Sequence, residues 1–308
     1  MHALPIIDLT GFSSGDEAAF ARVVGEIGQA CRTIGFFYLV DHGVPDELMK
    51  RAFAEAAGFF AEPVATKAKL AMKIVGGNRG YAALLGEALD PKAGADLKEA
   101  FNIGLDLAPD DPELLAGVPF RALNAWPDRP GFKPTFTAYF DACTKLSVAI
   151  HRAFARDLGL PLEFFADKLN KPMATLRMLH YPPTPAGEIG AGEHTDYGNI
   201  TLLATDEVGG LEVRTRVGDW IAAPPITGAF VVNIGDCLMR WTNDVYVSTP
   251  HRVVNRSGRE RYSIAYFFDP NPEALVAGIP SCGEPRYAPI LAADYLKMRL
   301  DASVPKGM

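Results

Sequence analysis

Between Ala174 and Phe268 the chain divides into short runs rich in β-branched and aromatic residues, at 176–181, 200–204, 211–214, 230–234, 245–248, 252–255 and 262–268, separated by Gly, Pro and Asp. A strand of this length cannot bury its apolar face alone, and many such strands joined by regular turns predict a sandwich or barrel of the jelly-roll type. Helical periodicity lies on either side. Phe20, Val23, Val24, Ile27 and Ala30 mark one helix, which Ser13 or Ser14 can cap and Gly35 ends, and residues 46–61 repeat the pattern. A longer stripe of Phe136, Tyr139, Phe140, Leu146, Ile150 and Phe154 predicts a helix over 134–158 that backs the sheet, and the chain returns to helix near 290–300.

The expected fold class is therefore α+β. A double-stranded β-helix (jelly-roll) core is backed by helices and joined to a mixed α/β N-terminal region. The expected divisions are residues 1–120, the supporting helices at 121–170, the core at 171–275 and a helical end at 276–308, all in one compact unit. A length of 308 residues suffices for such a unit.

The net charge of -7 argues against nucleic-acid or anionic-membrane partners, which attract basic surfaces, and favours a small-molecule substrate. Residues 1–9 lack the basic and apolar pattern of a leader, and no segment is apolar enough to span a bilayer, so the chain reads as cytoplasmic, a monomer or weak homo-oligomer. Cys31, Cys143, Cys237 and Cys282 are widely spaced and predict buried thiols rather than disulfides or a zinc-thiolate site.

Six histidines limit the candidates for metal chemistry. His194 and Asp196 are two residues apart, so on a strand end both project to one face. A further imidazole from a neighbouring strand would complete two nitrogens and a carboxylate on one face of an octahedron, which suits Fe(II) and leaves positions open. The same ligands can hold catalytic zinc, so the donor set alone does not choose the metal. His251 is the natural third ligand because it opens a predicted hairpin, 251–255 and 260–267 about a turn at Ser257-Gly258. In that hairpin Arg261 stands on the face of His251, about 7 to 13 Å along the strand. Its permanently charged, forked guanidinium matches the far carboxylate of a diacid whose near end chelates the metal, and Ser263 shares its face.

Several motifs in order carry a wider resemblance: 4–9 (LPIIDL), 35–45 (GFFYLVDHGVP), 98–101 (KEAF), 181–183 (YPP), 194–198 (HTDYG), Gly235-Asp236, 248–253 (STPHRV) and 261–263 (RYS). Together they make the chain similar, over nearly its whole length, to the isopenicillin N synthase-like branch of the 2-oxoglutarate/Fe(II)-dependent oxygenases. The resemblance implies that His194, Asp196 and His251 are iron ligands, that Arg261 and Ser263 clamp 2-oxoglutarate, and that Tyr181 hydrogen-bonds it. It also implies O2 as oxidant, with ascorbate as an assay additive. Leu179 departs from the pattern, standing where that strand usually carries Asn, two residues before the tyrosine.

The implied activity couples oxidative decarboxylation of 2-oxoglutarate to hydroxylation, desaturation or ring closure of a small organic substrate. An oxidase of the same superfamily that dispenses with 2-oxoglutarate, or a non-catalytic jelly-roll binding protein, are the alternatives. Phe267, on the parity of Arg261, is expected in the substrate pocket, with Tyr81 and Phe101 as lid residues. His42 and His180 read as turn and outward-facing residues; His2 and His151 add nothing to the site.

Overall fold

The computed structural model of the protein describes residues 4–86, 96–185 and 187–303; His2 lies outside them. The chain begins with β1 (Ile6–Asp8), α1 (Glu17–Thr33), β2 (Phe36–Val40) and α2 (Asp46–Phe60). One-turn helices α3 (Val64–Lys67) and α4 (Met72–Val75) lead into β3 (Gly80–Ala82), β4 (Glu99–Gly104) and the short α5 (Pro112–Leu115). The long α6 (Phe132–Asp157) is followed by β5 (Thr175–Tyr181), β6 (Glu188–His194), β7 (Ile200–Thr205), β8 (Leu211–Arg214), β9 (Trp220–Ala223) and β10 (Phe230–Ile234). Then come α7 (Asp236–Trp241), β11 (His251–Asn255), β12 (Arg261–Phe268), β13 (Leu275–Val276), β14 (Ile290–Leu291) and α8 (Ala292–Ser303).

Two sheets form the expected jelly roll. The larger has eight strands in the order β1-β2-β10-β7-β12-β5-β4-β3 and the smaller four, β6-β11-β8-β9. The N-terminal strands are thus hydrogen-bonded into the sheet that carries the core strands. Alternation along β12 splits its side chains: Arg261, Ser263, Ala265 and Phe267 face a cavity between the sheets, while Ile264, Tyr266 and Phe268 face the helices. There α6 buries Phe132, Phe136, Tyr139, Phe140, Ile150 and Phe154, with Phe140 edge-on to Tyr266 at 5.0 Å. Each such burial contributes roughly 1.5–3 kcal/mol, so this layer holds the sheet rigid beneath the cavity.

Four local expectations are corrected. Asp16, rather than Ser13 or Ser14, caps α1, its carboxylate accepting the Ala18 and Ala19 N–H groups at 2.9 and 3.1 Å. Residues 245–248 form no strand. Tyr246 is drawn into the helical core, where its hydroxyl bonds Asp157 at 2.5 Å, and Val247 N–H donates to Cys31 O at 2.9 Å. The terminal helix starts at Ala292, because Ile290 and Leu291 pair with Val276 and Leu275.

The fourth concerns the hairpin. β11 pairs with β6 and β8 in the small sheet, whereas β12 pairs with β5 and β7 in the large one. The turn at Ser257-Gly258 therefore carries the chain from one layer to the other, and His251 and Arg261 meet across the cavity instead of along one ribbon. Gly35 does end α1, with φ +66°, and a Cβ there would fall 2.1 Å from Val247 O. Among the described residues no helix is long and apolar enough to cross a membrane, and all four cysteines are free.

Candidate active site

His194 ends β6 and His251 opens β11, and the two are direct antiparallel partners, their rings 4.3 Å apart. Asp196 lies just past the strand end, its Oδ1 3.8 Å from His194 Nε2 and 3.7 Å from His251 Nε2. One potential ligand atom from each residue thus falls within 4.8 Å of the others, the spacing of a single ion's coordination face.

Neighbouring groups aim these atoms. His194 Nδ1 sits 2.7 Å from Gly192 O and His251 Nδ1 3.2 Å from Thr249 O, so each Nδ1 carries the proton and each Nε2 presents its lone pair to the shared point. Asp196 Oδ2 accepts from Asn233 Nδ2 at 2.7 Å and from the Thr201 hydroxyl, which leaves Oδ1 for a metal. The turn itself is held from behind. Asp236 N–H donates to Asp196 O at 2.8 Å, the Thr195 hydroxyl donates to Asp236 Oδ2 at 2.9 Å, and Arg299 of α8 bonds the same carboxylate.

Burial, reinforced by His251, pushes the His194 imidazolium down to about 4. Burial alone would raise Asp196, but His251, His194 and the Thr201 and Asn233 hydrogen bonds outweigh it and hold the carboxyl below its usual range. Two imidazoles and one carboxylate with directed lone pairs fit a divalent ion, and the absence of thiolate from the set suits Fe(II).

Arg261 is fully buried in the same cavity. Its Nε donates to Gly209 O at 2.6 Å, its Nη1 to Ser263 Oγ at 3.1 Å, and its guanidinium covers the Tyr181 ring at 4.6 Å. Its Nη2 has no partner, and no carboxylate pairs with it among the described residues. A buried cation left so would cost several kcal/mol, so its surroundings fit an incoming carboxylate. Leu179 faces the cavity opposite Ser263 and supplies an apolar wall.

The cavity encloses about 970 Å³. Phe267 lines it, but Tyr81 and Phe101 do not, which corrects their expected place as lid residues. Phe101 points to the helical side, against Phe59 at 4.8 Å and Phe132 at 5.5 Å, and the Tyr81 hydroxyl bonds Glu99 in the core. Strand parity puts Asn102, next to Phe101, on the cavity face instead. Asn78, Arg79, Lys98, Arg177, Asn233, Leu296 and Leu300 also line it and were not anticipated. Only Arg177 was legible, sharing parity with Tyr181 on one strand.

The remaining histidines take structural places. His42 bonds Gly228 O at 2.8 Å and accepts Val44 N–H at 3.2 Å; His151 is buried between Ser147 O and the Asn199 amide. His180 points away from Tyr181 and bridges Glu99 at 2.7 Å and Glu260 at 2.9 Å.

Comparison with known proteins agrees with this geometry. Residues 4–129 match the family described as non-haem dioxygenase in morphine synthesis N-terminal, and residues 172–270 match the 2OG-Fe(II) oxygenase superfamily. The 2-oxoglutarate-Fe(II) type oxidoreductase hxnY of Emericella nidulans is 38% identical, over 96% of this chain and 88% of its own. The 2-oxoglutarate-dependent dioxygenase citB of Monascus ruber is 37% identical, over 91% and 89%. Among solved structures, a full-length Neurospora crassa protein in complex with α-ketoglutarate and thymine superposes with a TM-score of 0.87 at 34% identity, covering 98% of this chain and 97% of that one. A 2OG-Fe(II) oxygenase family protein of Caulobacter crescentus gives 0.88 at 33% identity, covering 98% and 99%. The chain belongs to the 2OG-Fe(II) oxygenase superfamily and is a 2-oxoglutarate- and Fe(II)-dependent oxygenase.

Proposed function

We propose that His194, Asp196 and His251 hold Fe(II), that Arg261, Ser263 and Tyr181 hold 2-oxoglutarate, and that a small organic substrate enters over Phe267. The observation that carries this reading is the partnerless Nη2 of Arg261, a residue that lines the same cavity as the three converging ligand residues. When bound, the iron with O2 would supply the oxidising power released as 2-oxoglutarate is decarboxylated to succinate and CO2.

The protein's own work is positional. The Gly192 and Thr249 carbonyls fix the imidazole tautomers, and Thr201 with Asn233 turns one Asp196 oxygen to the metal. Arg261 neutralises the far carboxylate of the co-substrate, while Leu179 and Ala265 keep water from the space between. The acidic chain and its free thiols fit a reducing, cytoplasmic setting.

The test is an anaerobic titration of the Fe(II)-loaded protein with 2-oxoglutarate, followed by succinate measurement in air across a substrate panel. A metal-to-ligand charge-transfer band in the visible and substrate-stimulated succinate are expected. Iron binding with neither band nor succinate would overturn the co-substrate assignment.

A further inference from the structure

Besides Arg261 the cavity is lined by Arg177, which donates to Asn102 Oδ1 at 3.2 Å, and by Arg79. Arg79 is 4% exposed, yet no carboxylate pairs with it among the described residues. Its nitrogens meet only neutral acceptors at long range: Nη1 donates to Gly77 O at 3.2 Å and Asn78 O at 3.4 Å, and Nη2 to Phe120 O at 3.4 Å. Its Nε has no partner. Burial, then the like charge of Arg121, pulls Arg79 down to about 10, which leaves it charged at neutral pH and poorly compensated. The backbone makes room for this side chain, since a Cβ on Gly104 would fall 1.9 Å from Arg79 Nη2.

Sheet register traces the path from the supports of Asp196 to this charge. Asn233 and Thr201, which hold Asp196, are partners on β10 and β7. Thr201 then pairs with Phe267, Phe267 with Thr175, and Thr175 with Gly104, on which Arg79 rests. Three strand steps of about 4.8 Å make about 14 Å from Thr201 to Gly104. The floor between is the half-buried Phe267 ring, and Phe120 and Leu296 supply apolar walls.

We propose that the primary substrate is a carboxylic acid with an apolar body lying over Phe267, its carboxylate bound by Arg79 and its oxidised carbon on the far side of that ring, at the metal. This rests on the functional reading above. Arg261 and Arg79 then have separate roles, Arg261 taking the co-substrate's carboxylate and Arg79 the substrate's. An uncompensated buried charge of this kind is neutralised by an anion and gains little from an uncharged isostere.

The experiment is calorimetric titration of the anaerobic Fe(II) protein, saturated with 2-oxoglutarate, using the series from 3-phenylpropanoate to 6-phenylhexanoate and the primary amide of each. At least one acid should bind tenfold or more tightly than its amide, and Arg79→Gln should bring the pair within about twofold. Arg79→Lys, which retains the charge, should keep part of the preference. Acids and amides binding alike at every length, or a preference untouched in Arg79→Gln, would overturn the proposal and leave Arg79 as a staple for the 77, 78 and 120 carbonyls. Should Arg79→Gln fail to fold, an undiminished preference in Arg79→Lys overturns it and a severalfold loss supports it. The 2-oxoglutarate titration of the same samples separates the two readings: no binding there means that the co-substrate assignment has failed, whereas normal binding without acid preference overturns only the Arg79 assignment.

Discussion

Arg261 and Tyr181 are direct antiparallel partners on β12 and β5, and the guanidinium lies 4.6 Å over the phenol ring. The ring fixes the plane of the fork, Gly209 and Ser263 occupy two of its nitrogens, and the third has no partner in a residue that lines the cavity. Arg261→Lys retains a charge but loses the planar fork. It should weaken 2-oxoglutarate by about 1 to 3 kcal/mol, or about 5- to 150-fold, while Fe(II) affinity without co-substrate stays the same. Anaerobic titrations of both ligands check it. Unchanged 2-oxoglutarate affinity would rule out the clamp, and a parallel loss of iron would mean that the mutation had disturbed more than Arg261.

The support of Asp196 leads to a graded expectation. His194→Ala or Asp196→Ala should abolish stoichiometric Fe(II) binding with the fold retained. Asn233→Ala, which removes a 2.7 Å hydrogen bond to the non-ligating oxygen, should lower iron affinity by about 10- to 100-fold. Metal titration with circular dichroism on each variant decides between these levels. Equal behaviour of Asn233→Ala and the parent would mean that Thr201 alone orients the carboxylate.

Phe101 and Phe267 are both aromatic strand residues near the site, but they face opposite ways. Phe101→Ala should cost about 3 to 5 kcal/mol of stability through the cavity left beside Phe59 and Phe132, with co-substrate affinity unchanged in the folded protein. Phe267→Ala should cost less stability and raise KM for the primary substrate. Denaturant unfolding together with steady-state kinetics separates the pair, and a stability loss at Phe267 matching that at Phe101 would contradict the assignment.

Glu99 provides a pH test. Burial would raise its carboxyl, but the hydrogen bonds from His180, Lys67 and Tyr81 prevail and bring it down to about 2. Because the folded value lies below the unfolded one, the stabilisation is complete above about pH 4.5 and is lost as pH falls towards 2. The gap corresponds to a contribution on the order of 3 kcal/mol. Glu99→Gln should therefore be less stable than the parent at pH 6, with the difference shrinking below pH 4.5. A difference constant down to pH 2.5 would mean that the network contributes nothing through ionisation.

Local spacing determined much of this protein before any pairing was known. His194 and Asp196 lie two residues apart, a spacing that singled out the pair in the sequence, although Asp196 falls just past the end of β6 and its direction is set by the turn that Asp236 holds. The stripe along α6 marked its buried face because helical periodicity is likewise a property of the segment. Tertiary structure decided what depends on partners distant in sequence. β6 has glycine at two of its seven positions and little β-branched character, so only its pairing with β11 makes it a strand. Phe101 and Asn102 differ by one residue, and which of them meets the cavity depends on how β4 registers against β5. Arg261 shows the same division. Its identity as an anion-binding fork is written in the sequence, but its place opposite Tyr181 rather than beside His251 follows from the crossing of the chain between sheets at Ser257-Gly258. That crossing is set by burial of both faces of β12, an energy shared among strands and legible in none of them singly.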